Sequence, residues 1–199
     1  MPRIFETLSA AGFDVAVTFH ADAILREDFP AVLDDLEPIL LGTHIPIEEL
    51  IGGGGGEAKV TQRMRHRLHE AGWTKGIYHV EKTINERQTF AQSHEVDHTK
   101  RFEAGEVALE IEWNNKDPFF DRDLENFSRL HADGAISVGL IITRGATLQA
   151  GIEPALKAFA RHSNIANYDD LRQYGVRPTD RQRRAVQSLE GRGVPFGEA

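Results

Sequence analysis

The sequence predicts an α/β fold, a mixed central sheet flanked by helices. Three observations predict it. Three strand-like runs follow one another between residues 76 and 113, a clean amphipathic helix comes next, and a short apolar, β-branched run then supplies a buried strand parallel to a neighbour. At 199 residues the chain can bury one sizeable core and demands no second domain, so residues 1–199 are read as a single unit.

Taken in order, a short strand is expected over Asp14 to Phe19, and helices around Asp22 to Arg26 and Pro30 to Leu40. Gly52 to Gly56 is a run of five glycines. A phosphate-binding loop would need Lys-Ser or Lys-Thr directly after it, and Glu57-Ala58 follows instead, so a hinge or a close backbone approach is the better reading. From Glu57 to Ala71, Val60, Met64, Leu68 and Ala71 recur at helical spacing, and Gly72 is placed as a stop. Lys59, Arg63, Arg65 and Arg67 make this helix basic, and Arg63 becomes a candidate DNA contact.

Ile77 to Ile84 and about Phe90 to Lys100 read as strands around the turn-like Asn85-Glu86-Arg87. In the third run, Val107, Leu109, Ile111 and Trp113 point one way, and Ala108, Glu110 and Glu112 the other. A helix follows, with Asp117 as cap, Pro118 in the first position, Phe120, Leu124 and Phe127 along one side, and Gly134 past its end. Ala135 to Thr143 is the buried strand. Helices are expected near Glu153 to His162 and Thr179 to Glu190, with a disordered tail over about 191–199.

The formal charge of −8 argues against a general nucleic-acid coat protein, because affinity for the phosphate backbone comes mainly from clustered Lys and Arg. It leaves room for an enzyme that holds cations at an acidic centre and lines only the surrounding groove with basic residues. With no cysteine, disulfide frameworks and thiolate metal sites are excluded. The N-terminus lacks a basic stretch followed by an apolar run, and no segment approaches a membrane span, so cytoplasm is the default location.

Two motifs compete for the chemistry. His94-Glu95-Val96-Asp97-His98 is a literal H-E-x-x-H, the zinc-protease signature. That chemistry requires a helix, since on a strand the two histidines would stand about 13 Å apart. The rival is Asp97 with Glu110 and Glu112. If their runs are adjacent antiparallel strands, one face brings the three carboxylates together, and such a cluster calls for a hard divalent cation such as Mg²⁺. The metal would polarise a scissile phosphate, and Glu112 is the candidate general base or a further metal contact.

The order of elements and the run Asp97 … Glu110-Ile111-Glu112 resemble the PD-(D/E)xK nuclease core. More closely, Ala108 through Phe120 (ALEIEWNNKDPFF), continuing into Ala135 to Arg144, is similar to the BglII and BstYI family of restriction endonucleases over about residues 50 to 150. The resemblance implies a homodimer that uses Mg²⁺ to cut both strands of a palindrome containing GATC in duplex DNA. It implies Asp97 and Glu110 as metal ligands and Glu112 at the third catalytic position. There BglII has glutamine, and the E-x-E form is similar to BamHI instead. Glu57 resembles the additional acidic or polar residue preceding the core, although a helix N-terminus would equally attract a carboxylate. Base reading is expected from the loops after the third strand and after the buried strand: Asn114, Asn115 and Lys116, then Arg144, Thr147 and Gln149. Rival readings are a repair or recombination nuclease of the same core, a DNA-binding module that does not cleave, and the zinc protease.

Overall fold

The computed structural model describes residues 4–51, 57–113 and 117–198. In chain order its elements are α1 (Glu6–Ala10), α2 (Ala21–Asp28), α3 (Pro30–Leu41), α4 (Ile47–Ile51), α5 (Lys59–Glu70), β1 (Thr74–Ile84), β2 (Arg87–Phe102), β3 (Gly105–Glu112), α6 (Asp117–Ala132), β4 (Val138–Thr143), α7 (Ala146–His162) and α8 (Asp180–Glu190). Short 3₁₀ turns cover Arg172–Tyr174 and Phe196–Glu198. Two compact units result, residues 1–43 with 61–145 and residues 44–60 with 146–199.

The first unit holds the sheet, in order β1-β2-β3-β4. The three predicted strands form an antiparallel meander. Asn85 and Glu86 both take positive φ (47° and 61°), the geometry of a two-residue hairpin turn that matches strand twist. β4 pairs parallel to β3, with Val107 opposite Val138 and Glu112 opposite Thr143, as its apolar, β-branched sequence predicts. β3 is therefore covered on both faces. Val107 and Leu109 join Phe29, Val32, Leu68 and Trp73 in one core, while Ala108 joins Val96, Phe127, Leu130 and Ile136 in another. Each fully buried aliphatic side chain contributes roughly 1.5–3 kcal/mol.

Polar ties lock the β1 end of the sheet to the helical layer. Asp35 accepts from Trp73 Nε1 at 3.0 Å and from Lys100 Nζ at 2.5 Å, and the same ammonium reaches the Ala71 carbonyl at 2.8 Å. Gly72 ends α5 with φ +89°, the stop its position predicted. α6 packs closely against β4 at Gly139, where a Cβ would stand 2.5 Å from the Phe127 ring.

Four expectations need correction. Residues 13–19 form no strand: the alternating Phe13, Val15, Val17 and Phe19 are all exposed, Phe19 fully, so among the described residues nothing covers the apolar face that the alternation suggested. On α6 the buried stripe is Asp123, Phe127 and Leu130, whereas Leu124 is 47% exposed. Hydrophobic spacing alone could not place an aspartate inside.

The other two corrections fall in the second unit. α7 begins at Ala146, not near Glu153, because Gly151 and Pro154 are tolerated inside it. The C-terminal residues are ordered: Glu198 pairs with Arg161 at 2.9 Å, and the Phe196 ring stands edge-on to Tyr168 with centroids 4.9 Å apart. In the same unit, α8 starts on a reciprocal cap. Thr179 Oγ1 accepts from the Gln182 N–H at 3.3 Å while Gln182 Oε1 accepts from the Thr179 N–H at 2.8 Å.

Candidate active site

Asp97 and Glu110 come from neighbouring antiparallel strands, and an irregularity in β2 fixes how they meet. Thr74 pairs with Thr99, but Gly76 pairs with Val96, so Lys75 alone stands against both Asp97 and His98. This is a β-bulge, a device that re-aims side chains and interrupts a ladder. Beyond it, β2 and β3 pair regularly from His98–Leu109 to Phe102–Gly105. The N–H of Asp97 donates to the Oε1 of Glu110 at 3.1 Å, so the two residues are in direct contact across the strands.

Glu110 is 8% exposed, on the β3 face that α6 covers. Burial pushes its carboxyl pKa up to about 8, against the partial relief of the Asp97 N–H, and the charges of Asp97, Asp123 and Glu112 push it further. Asp123, from α6, is 3% exposed. Its Oδ1 accepts from Arg122 Nε at 2.9 Å and meets Arg122 Nη2 at 2.9 Å. On the β1 side, Lys75 pairs with Glu95 and also feels Asp97 and Glu110, and these raise its pKa in that order. A buried carboxylate that feels the charges of three others is an environment that a hard divalent cation would relieve. The donor set therefore fits Mg²⁺ in chemistry. Among the described residues, no three His, Asp or Glu side chains converge as a finished metal cage.

The H-E-x-x-H run lies on strand β2. His94, 5% exposed, meets Asn126 Oδ1 of α6 through Nδ1 at 3.2 Å, while His98, 4% exposed, stands opposite Leu109. Burial lowers the His98 pKa, partly countered by Asp97. Both histidines serve the packing of the sheet, and the zinc-protease reading fails for want of a helix.

The remaining candidates are spread out. Glu112 ends β3 and is half-buried, and Arg63 is half-buried on α5. Arg144 follows β4 and is half-buried. Thr147 and Gln149 belong to the second unit and lie exposed in the first turns of α7, not in a loop. Glu57 also belongs to the second unit, exposed and two residues ahead of α5. Asn114, Asn115 and Lys116 lie outside the described residues, as does the glycine run 52–56. The sequence reading did not single out Lys75, Arg122 or Asp123.

A mixed four-stranded sheet flanked by helices agrees with the fold class that the resemblance implied. The family described as Restriction endonuclease BglII/BglIII matches residues 13–179. The chain belongs to the BglII/BglIII restriction endonuclease family. No curated protein and no solved structure matches it. Membership makes it a type II site-specific deoxyribonuclease, a hydrolase acting on duplex DNA, and removes the zinc-protease reading. Such a family is typically dependent on a divalent metal. No helix among the described residues is long and apolar enough to cross a membrane.

Proposed function

We propose that this member of the family is a Mg²⁺-dependent homodimer in which Asp97 and Glu110 hold the ion and Glu112 completes the acidic set. The observation that carries this reading is the contact of the buried Glu110 carboxylate with the Asp97 N–H, in the field of the Asp97, Asp123 and Glu112 charges. When bound, the ion supplies Lewis-acid activation of the phosphate and of water. The chain's own residues do the rest. Glu112, the last residue of β3, takes the proton of the attacking water as its oxygen bonds to phosphorus, the ester bond breaks and the departing oxygen takes a proton from solvent. Asp97 and Glu110, on neighbouring strands, would hold the ion that orients the reacting phosphate.

The substrate is proposed to be a short palindrome containing GATC, cut on both strands in the cytoplasm. Its bases are read by Asn114, Asn115, Lys116, Arg144, Thr147 and Gln149, and Arg63 supports the backbone. Asn and Gln suit adenine edges and Lys or Arg suits guanine. The test is digestion of plasmid DNA with Mg²⁺ and with EDTA. Discrete fragments ending at one recurring sequence are expected with Mg²⁺ and none with EDTA. Random nicking, or no cutting across a broad panel of DNA, would refute the proposal.

A further inference from the structure

Affinity for duplex DNA comes largely from cations set against the phosphate backbone, yet this chain carries a formal charge of −8. Its basic residues must therefore be concentrated locally where they meet DNA. Residues 172–192 are such a stretch, with six arginines against only Asp180 and Glu190. Four of the six, Arg181, Arg183, Arg184 and Arg192, lie on α8 or just past its end. The family match stops at residue 179, directly before this helix.

α8 has two unlike faces. Arg183, Val186 and Leu189 are half-buried, and the Arg183 guanidinium lies 5.2 Å from the centre of the Tyr168 ring. Arg181, Arg184, Ser188 and Arg192 recur at spacings of three, four and four, so they share one side, and all four are exposed. Gly191 keeps helical dihedrals (φ −61°, ψ −15°), which carries the stripe on to Arg192. Acid partners are what this face lacks. Arg26, Arg101, Arg129, Arg161 and Arg172 each pair with a carboxylate. Among the described residues none pairs with Arg181, Arg184 or Arg192, although Asp180 stands four residues before Arg184. Like charges on one helix face repel, and an anionic partner would relieve them. At about 1.5 Å of rise per residue the stripe is about 16 Å long, room for several phosphates of a duplex that carries a charge about every 1.7 Å of its axis.

We propose that the outer face of α8, through Arg181, Arg184 and Arg192, binds the phosphate backbone of duplex DNA. It adds affinity without reading sequence. A planar guanidinium suits phosphate oxygens, and the Ser188 hydroxyl supplies a further donor. This deepens the nuclease reading and rests on duplex DNA being the substrate, but it needs neither the roles of Asp97, Glu110 and Glu112 nor the GATC site.

The test uses the full chain and its Arg181→Gln/Arg184→Gln/Arg192→Gln variant, with lysine at the same three positions and Arg172→Gln for comparison. Gln and Lys have helix propensities close to that of Arg, and circular dichroism checks the fold. Anisotropy measures binding of a duplex lacking GATC in EDTA, and of a GATC-containing duplex in Ca²⁺, over a series of salt concentrations. Each phosphate contact contributes about 0.9 to the slope of log affinity against log salt, so the triple Gln variant should lose about 2–3 in slope on both duplexes. Its affinity at about 0.1 M salt should fall roughly 10- to 100-fold, with the wild-type preference between the duplexes kept. The triple Lys variant should hold the wild-type slope to within about one. Arg172→Gln removes a charge already paired with Asp169 and should leave the slope as in wild type.

An unchanged slope in the triple Gln variant would overturn the inference, as would failure of the wild type to bind either duplex. An equal loss per charge in Arg172→Gln would overturn it too, since net charge rather than this face would then set affinity. Loss of a preference that the wild type shows would make the arginines base readers and also refute the proposal. An unchanged slope with a smaller mass in sedimentation would instead assign the face to contact between copies of the chain. Equal binding of the two duplexes by the wild type would sink the GATC reading, while a reduced slope in EDTA would still support the backbone surface.

Discussion

Removing the charge of Glu110 without changing its shape should make the metal-free protein more stable at alkaline pH, although it destroys an acidic residue of the proposed site. The Glu110 carboxyl group has its pKa raised from 4.5 to about 8 by burial and by Asp97, Asp123 and Glu112. A raised acid pKa means that the folded state binds the proton more tightly than the unfolded chain. The resulting stability is fully present below pH 4.5 and is lost as pH rises through 8. At about 1.4 kcal/mol per pH unit, the whole displacement amounts to about 5 kcal/mol at most, with local relaxation reducing it to a few kcal/mol. For a protein of this size, a loss of about 3 kcal/mol lowers Tm by roughly 6–12 °C.

Glu110→Gln keeps an oxygen to accept the Asp97 N–H at 3.1 Å but carries no charge. Thermal unfolding in EDTA from pH 5 to 9 should therefore show the wild-type Tm falling with pH more steeply than that of Glu110→Gln. At pH 8.5 the variant should be the more stable protein. Ca²⁺ should raise the wild-type Tm at that pH and leave the variant almost unmoved. Parallel pH profiles for the two proteins would refute the reasoning, because Glu110 would then be as well solvated folded as unfolded.

Three further predictions concern the scaffold. Gly139→Ala would press a methyl group to 2.5 Å from the Phe127 ring, and unfolding in urea should show a loss of about 1–3 kcal/mol. Asp35→Ala leaves Trp73 Nε1 and Lys100 Nζ without their shared carboxylate, and should lower stability by about 2–3 kcal/mol in the same assay, more than an exposed aspartate would. Thr179→Ala removes the Oγ1 that caps α8, and should cost about 1 kcal/mol and increase amide exchange in the first turn of that helix.

Where sequence pattern and final environment coincide, the fold was legible. β3 shows it best: alternation placed Glu110 and Glu112 on one face and Val107 and Leu109 on the other, and the register follows. The parallel β4 and the hairpin at Asn85-Glu86 were legible for the same reason, since local chemistry and tertiary setting agree. At residues 13–19 the two disagree, because alternation specifies a face but cannot supply the neighbour that would cover it.

The candidate site was half legible. Asp97, Glu110 and Glu112 were visible as an acidic pattern with a family resemblance. The bulge that sets Lys75 against Asp97 and His98 was not, because register shifts leave no signature in residue type. Arg122-Asp123 was hidden for another reason. Adjacent opposite charges on a helix read as solvated surface, and only the packing of α6 over β3 turns Asp123 inward.

The measurement closest to the centre of the account is single-turnover cleavage of a GATC-containing duplex by Glu110→Gln in saturating Mg²⁺, beside wild type and with folding checked by circular dichroism. A loss on the order of 10³-fold or more, in a protein that folds as wild type does, is the predicted result. Cleavage within a few-fold of wild type would contradict it, for the buried carboxylate would then take no part in the chemistry.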